Sequence, residues 1–346
     1  KATPEYQKIA ESLRTPGPAA LFGLPPAGRA LLYAALQKDL GRLVCIVTPG
    51  EAEATHFADD LKALGLTAAV FPPRDFMLRP VEGAGREYEY RRLAVLGELV
   101  GGRLRAVAVP AEALTQFTTP KEDFWSNTRT LHAGDTLLRD DLLAALFGAG
   151  YTRRAQVDGP GQFSVRGDIV DIFAPDQKMP VRMEFWGDEI DTLHTFDLTT
   201  QRREDAIDKF YLSPAREVLF GKPADAAEQL RAFLAKQRGK KKTAMADCMA
   251  ADLDVLDGGA VPVNMDKYLV VRYPHPATVL DYFDDPILVA EEPASIREAD
   301  RATAYRQGEE LKSLILDGVL CAGLDNLYAD PSYLWSKTGH YRTICA

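Results

Sequence analysis

Apolar positions in the first third of the chain fall into short unbroken runs, separated by stretches in which they recur every three or four residues. "RLVCIVTP" (Arg42–Pro49) is continuously apolar, the mark of a strand buried on both faces of a parallel sheet. "GEAEATHFADDLKALG" then places acids in a first helical turn and a glycine at the end, which predicts a helix. "TAAVFPP" reads as a second strand and "REYEYRRLAVLGELVGG" as a second helix. "LRAVAVPAEAL" follows as a third strand running into a short helix. Strands and helices alternating over short connections predict a parallel sheet covered on both faces.

The pattern changes near residue 127. After one more helical stretch, "RDDLLAALFGAG", polar and apolar residues alternate from "AQVDGPGQFSVRGDIVDIFAP" through "VRMEFWGDEIDTLHTFDLTTQR". Turn signals fall at Asp158–Gly161, Pro175–Lys178 and Gly187–Asp188, which predicts an antiparallel meander with one wet face. Helical spacing returns near Leu212, and "PILVAEEPASI" (Pro286–Ile296) is again a buried strand. The organisation expected is a discontinuous α/β domain, residues 1–126 and 214–346, interrupted by an α+β insertion over 127–213.

Composition narrows the class without changing this picture. Apolar content of 46% and charged content of 26% over 346 residues describe a soluble chain of more than one domain. No apolar run approaches membrane-spanning length and no secretory pattern opens the chain, so a cytoplasmic location is expected. The first residue is Lys1, not Met, as in a processed or excised piece of a longer protein. Cys45, Cys248, Cys321 and Cys345 are widely spaced, and neither they nor the five histidines show metal-ligand spacing. A net charge of −9 argues against broad nucleic-acid coating. The compact basic run "KQRGKKK" (Lys236–Lys242) reads either as a solvated helix end and loop, where cations suit the dipole, or as a local nucleic-acid contact.

The stretch "FGLPPAGRALLYAAL" (Phe22–Leu36) has the glycine spacing of a phosphate-binding loop, Gly23 and Gly28, ahead of a helix. Arg29 and Ala30 stand where Lys and Ser or Thr are needed for the terminal phosphates and Mg²⁺. Pro25 and Pro26 remove two amide donors as well. The partner half of such a site is an apolar strand ending in acids, and "ILVAEEP" supplies Glu291 and Glu292; alternatively these acids belong to the start of the following helix. If the site is a relic, an Arg29–Glu291 contact is one way to fill the vacated position.

"GQFSVRGDIVDIFAP" (Gly161–Pro175), "VRMEFWGDEIDTLHTFDLTTQR" (Val181–Arg202) and "ATVLDYFDDPILVAEEPASI" (Ala277–Ile296) resemble, in order, segments shared by the repair protein UvrB and the transcription-repair coupling factor (Mfd) family. The resemblance covers essentially the whole chain. It implies a UvrB-like fold with a degenerate P-loop, helicase-like parallel-sheet domain. A true UvrB would carry the missing Lys and hydroxyl, and a DNA-inserting aromatic hairpin after the second strand. "FPPRDFMLRPVEGAGREYEYRRL" instead runs directly into a helix, with Tyr88 and Tyr90 as helix residues. Both departures resemble the N-terminal region of the coupling factors, which implies no cofactor here. ATP and Mg²⁺ would then serve motor domains elsewhere in the full protein, as would RNA polymerase and DNA as partners. An ATP-dependent UvrB-type or helicase enzyme with a divergent loop is the alternative.

The same resemblance makes the insertion the surface for UvrA, through Arg166, Arg182 and Trp186, with Glu184 and Asp168 beside them; Trp186 stands where another aromatic is usual. Alternation in "VRMEFWG" independently sets Arg182, Glu184 and Trp186 on the face opposite Val181, Met183 and Phe185. An exposed Arg and Trp are interface-anchor types, although Arg182 and Glu184 also suit an ordinary wet face. Gly167, within a strand pattern, suggests a bulge or close backbone approach.

Overall fold

The computed structural model describes residues 3–79 and 85–346. Residues 80–84, in the connection read as leading straight into the second helix, lie outside them. The chain begins α1 (Pro4–Ser12), β1 (Gly17–Ala20), α2 (Pro26–Leu40), β2 (Val44–Thr48), α3 (Glu51–Ala63), β3 (Ala68–Val70), α4 (Glu87–Val100) and β4 (Ala106–Pro110). Two short helices, α5 (Ala111–Thr115) and α6 (Lys121–Ser126), lead to β5 (Arg129–His132), α7 (Arg139–Gly148) and the two-residue β6 (Thr152–Arg153). The alternating segment forms β7 (Gln162–Arg166), β8 (Ile169–Phe173), β9 (Val181–Trp186), β10 (Glu189–Phe196) and β11 (Arg203–Ala206), and β12 (Lys209–Leu212) leaves it. Helices α8 (Pro223–Ala235), α9 (Gly239–Asp257) and α10 (Leu269–Arg272) precede β13 (Ile287–Ala290), α11 (Pro293–Leu316), α12 (Tyr333–Lys337) and β14 (Arg342–Cys345).

The fold is mixed α/β with a parallel and a separate antiparallel sheet. The parallel sheet runs β1-β14-β13-β2-β4-β3. Its central strands β2, β4 and β13 are buried at every position, because helices cover both faces, and this explains their unbroken apolar runs. Val44, Ile46 and Val289 pack with Tyr33, Leu36 and Phe57 on one side. Cys45, Val47 and Leu288 pack with Leu93, Leu96 and Ile296 on the other.

The second sheet is ordered β11-β10-β9-β8-β7-β6, antiparallel except for the parallel β6–β7 pair. Its inner face, with Phe163, Val170, Met183 and Leu193, packs on Leu142 and Leu146 of α7. Two turns sit side by side at one end. Gly167 (φ +62°) and Gly187 (φ +63°) each open a two-residue hairpin loop, between Arg166 and Ile169 and between Trp186 and Glu189. A first loop residue with positive φ is what a type II′ hairpin needs. Gly167 is therefore a turn residue, not the bulge or close approach expected: a side chain there would meet nothing within 4 Å.

A third core was not separated by the sequence reading. Leu230, Met245, Met249, Leu256 and Tyr268 of the helical stretch pack with Phe76, Leu314 and Leu324 into a cluster of their own. This alters the reading of the basic run. Lys236 ends α8, but Lys240–Lys242 open α9, whose buried Met245, Met249 and Leu256 pull the chain into helix from Gly239 onward. Three of the cations thus sit at the positive end of a helix dipole rather than the negative end. Among the described residues no helix is long and apolar enough to cross a membrane.

Candidate partner-binding face and phosphate loop

The loop before α2 begins its helix with two prolines. Pro25 is the N-cap and Pro26 the first residue of α2, and no side chain caps the helix. The Arg29 amide is already spent on the Pro25 carbonyl at 3.0 Å. Ala30 is buried in the core beside the sheet. Gly23 keeps a left-handed φ of +84°, while Phe22 beside it is almost wholly exposed. Arg29 folds back, so that its Nη1 lies 2.7 Å from Glu291 Oε2 and 3.7 Å from Glu292 Oε1. The contact expected across the loop is therefore present. It is close in distance but off the hydrogen-bonding directions, since Arg29 Nε and Glu291 Oε2 each lack a well-aligned partner. The Tyr33 hydroxyl donates to Glu291 Oε1 at 2.5 Å. Burial pushes the Glu291 carboxyl above its ordinary range, against the opposing pull of Tyr33 and Arg29. Glu292 occupies the N-cap position of α11 in a left-handed conformation, without a side-chain cap bond.

On the antiparallel sheet, the cross-strand register sets Asp171 opposite Arg182. Asp171 is fully buried, and two arginines close over it. Arg182 donates from Nε to Oδ1 at 2.7 Å and from Nη2 to Oδ2 at 3.0 Å, and Arg166 donates to Oδ2 at 2.5 Å. Arg182 also reaches the Gln201 carbonyl at 3.2 Å and lies 4.7 Å over the Phe196 ring. Its side chain keeps only 11% exposure, against 45% for Arg166. The expectation of an exposed Arg182 is corrected: a fork of donors so close to a buried carboxylate is drawn onto it. Glu184 is likewise mostly covered, ion-paired with Arg203 and accepting from Thr192 Oγ1 at 3.3 Å.

What remains open to a partner lies at the end with the two turns. Trp186 is 82% exposed, and Asp168 sits in the first turn with its side chain 78% exposed. Arg139 at the start of α7 donates to the Gly167 carbonyl at 2.8 Å and lies 3.3 Å from Asp168. The Leu137 amide donates to the Asp188 carbonyl, so α7 is tied to both turns, and exposed Leu138 joins the same rim. Arg166, Asp168 and Trp186 are thus presented together; Arg182 shares Asp171 with Arg166, and Glu184 is engaged with Arg203. Sequence reading missed Asp171, Leu138 and Arg139. Asp171 becomes visible only when strand register pairs it with Arg182, and α7 only when it is docked on the turns.

Comparison with known proteins agrees with this architecture. A family model, UvrB_inter (UvrB interaction domain), matches residues 130–218. The transcription-repair-coupling factor of Bacillus subtilis (strain 168) is 27% identical over 308 residues, 86% of this chain and 26% of that protein. Those of Staphylococcus aureus (strain MRSA252) and Staphylococcus haemolyticus (strain JCSC1435) are 24% and 25% identical over the same shares. The chain spans about a quarter of the length of these relatives. The chain is similar to the N-terminal, UvrB-like region of the transcription-repair-coupling factors, and its residues 130–218 match a UvrB interaction domain.

Proposed function

We propose that this chain is a non-catalytic adaptor in transcription-coupled DNA repair, recruiting UvrA through the turn-bearing end of its antiparallel sheet. The observation that carries the reading is the coincidence of the UvrB interaction domain with an exposed Trp186, Arg166 and Asp168 on one rim. A large aromatic beside an arginine is the composition of an interface anchor. In this reading Arg182 acts indirectly, by holding Asp171 and through it the position of Arg166. The remainder of the full protein, not this region, would supply an ATP- and Mg²⁺-dependent motor and the contacts to DNA and RNA polymerase, in the cytoplasm. The loop at Gly23–Ala30 is then a relic, its phosphate position taken by Arg29 against Glu291.

Calorimetric titration of the chain with purified UvrA, without nucleotide, tests this. Saturable 1:1 binding is expected, with Arg166→Ala and Trp186→Ala each costing about 2 kcal/mol or more. A cost under about 0.5 kcal/mol for both would remove the rim from the interface. In thermal denaturation ATP with Mg²⁺ is expected to leave the midpoint unmoved, since a ligand binding only the native state must raise it. A rise would favour the enzyme reading instead.

A further inference from the structure

A cavity of about 540 Å³ opens between the insertion and the helical core. It lies away from the sheet rim, and the UvrA reading makes no use of it. One wall is the end of α7 and the strand that follows it, and the other is formed by the start of α8 and the segment after α9. Its size is that of small-molecule sites, which run about 300–1,000 Å³.

The charges around it are unbalanced. Arg153 and Arg154 are exposed at its edge, with no ion pair or hydrogen bond to their side chains among the described residues. Arg216 reaches in from the other side. Its Nη1 is shielded from solvent, makes no hydrogen bond and lies 3.8 Å from the nearest carboxylate oxygen, on Glu89. The nearby acids are already engaged. Asp266 accepts from Arg74 and from the Met77 amide, both at 2.7 Å, and Glu89 accepts from Arg86 and from the Glu217 amide. Gly150, with φ +82°, makes room for the Arg216 stem: a β-carbon there would stand 2.7 Å from Arg216 Cγ. The remaining walls are apolar, including Phe147, Phe220, Val261 and Val263, the two valines exposed.

Two exposed guanidiniums without partners, and a third paired only at 3.8 Å with Glu89, select an anion in a chain of net charge −9, and apolar walls select a body attached to it. We propose that this cavity binds a small amphipathic anion, a phosphate or carboxylate carrying a ring-sized apolar group. Arg153, Arg154 and Arg216 take the head, and Phe147, Phe220 and the valines take the body. Arg216, whose side chain keeps 25% exposure, supplies the inner contact. The two outer arginines set affinity at the mouth.

The test is titration of the whole chain, followed by calorimetry and amide chemical shifts, with 1-naphthyl phosphate, 1-naphthoate and inorganic phosphate. Saturable binding of at least one naphthyl compound is expected, with shifts at Arg153–Arg154 and Val261–Val263; the tighter of the two identifies the head group. Inorganic phosphate should bind about tenfold or more weaker. Arg153→Glu with Arg154→Glu should weaken the naphthyl compound by about tenfold or more, whereas Lys8→Glu with Lys38→Glu, the same charge change on exposed α1 and α2 surface, should not. Val261→Asp, which alters the wall and no arginine, should also weaken it. No saturable binding at millimolar naphthyl phosphate and naphthoate would overturn the proposal. So would affinity indifferent to both the double arginine variant and Val261→Asp, or inorganic phosphate binding as tightly as the naphthyl compounds.

Discussion

Asp171 shows how little a residue's position in an alternating pattern says about its role. The pattern correctly sets Arg182, Glu184 and Trp186 on one face, yet two of those three side chains are spent within the protein. What decides is the carboxylate on the neighbouring strand, and no periodicity in "VRMEFWG" reports it. Removing it strands Arg182 with little access to water, so Asp171→Ala should cost about 3 kcal/mol of folding stability. Arg166→Ala, at a half-exposed site, should cost under about 1 kcal/mol while affecting UvrA binding far more. Urea denaturation beside calorimetry separates the two effects, and equal stability losses would undo the distinction. Asp300 in α11 is a second case legible only in three dimensions. Both its carboxylate oxygens are buried without partners, and burial raises its pKa to about 6. Because the folded value lies above the ordinary carboxylate range, this group's contribution to stability is greatest below about pH 4 and declines as pH rises through 6. Asp300→Asn should remove that decline and stabilise the chain at pH 8 by up to about 3 kcal/mol, read from urea midpoints at pH 5 and pH 8. A variant with an unchanged pH profile would show the carboxylate to be relieved in some other way.

At the scale of elements, β2, β4 and β13 were legible because burial on both faces leaves no polar position in the run. The meander was legible because only one face is buried. Its register was not, and with it went the clasp at Asp171. The loop before α2 was legible as chemistry: proline cannot donate an amide hydrogen, and alanine cannot ligate a metal. Restoring Arg29→Lys and Ala30→Thr together should therefore still give no nucleotide-dependent rise in melting temperature, because Pro25 and Pro26 remain and offer a phosphate no amide hydrogen. A rise of several degrees with ATP and Mg²⁺ would show that the two side chains alone were missing. The core around Met245, Met249 and Tyr268 was not visible beyond a general return of helical spacing, since its partners Phe76 and Leu314 lie far away in sequence.

Across the whole molecule, a buried ionic network joins these cores. Glu217, just beyond β12, accepts from Arg92 Nε at 2.7 Å and lies 3.1 Å from Arg74 Nε, and its amide donates to Glu89 at 2.9 Å. Arg74 in turn holds Asp266 in the helical region. Burial alone would raise the Glu89 carboxyl, but Arg74, Arg86 and Arg216 outweigh it and hold it at about 2. With the folded value depressed, that contribution is present above about pH 4.5 and is lost as pH falls toward 2. Glu217→Ala would leave Arg92 buried and unpaired, at a cost of about 3–5 kcal/mol. It should also split one calorimetric unfolding transition into two; a single transition shifted downward would show that apolar packing suffices to couple the parts. One further feature reaches beyond stability. Strands β5 and β12 pair antiparallel, Arg129 with Leu212 through His132 with Lys209, so the chain enters and leaves the intervening unit through one narrow ribbon. The segment beyond it therefore leaves and returns side by side, and every strand of the parallel sheet lies outside that segment.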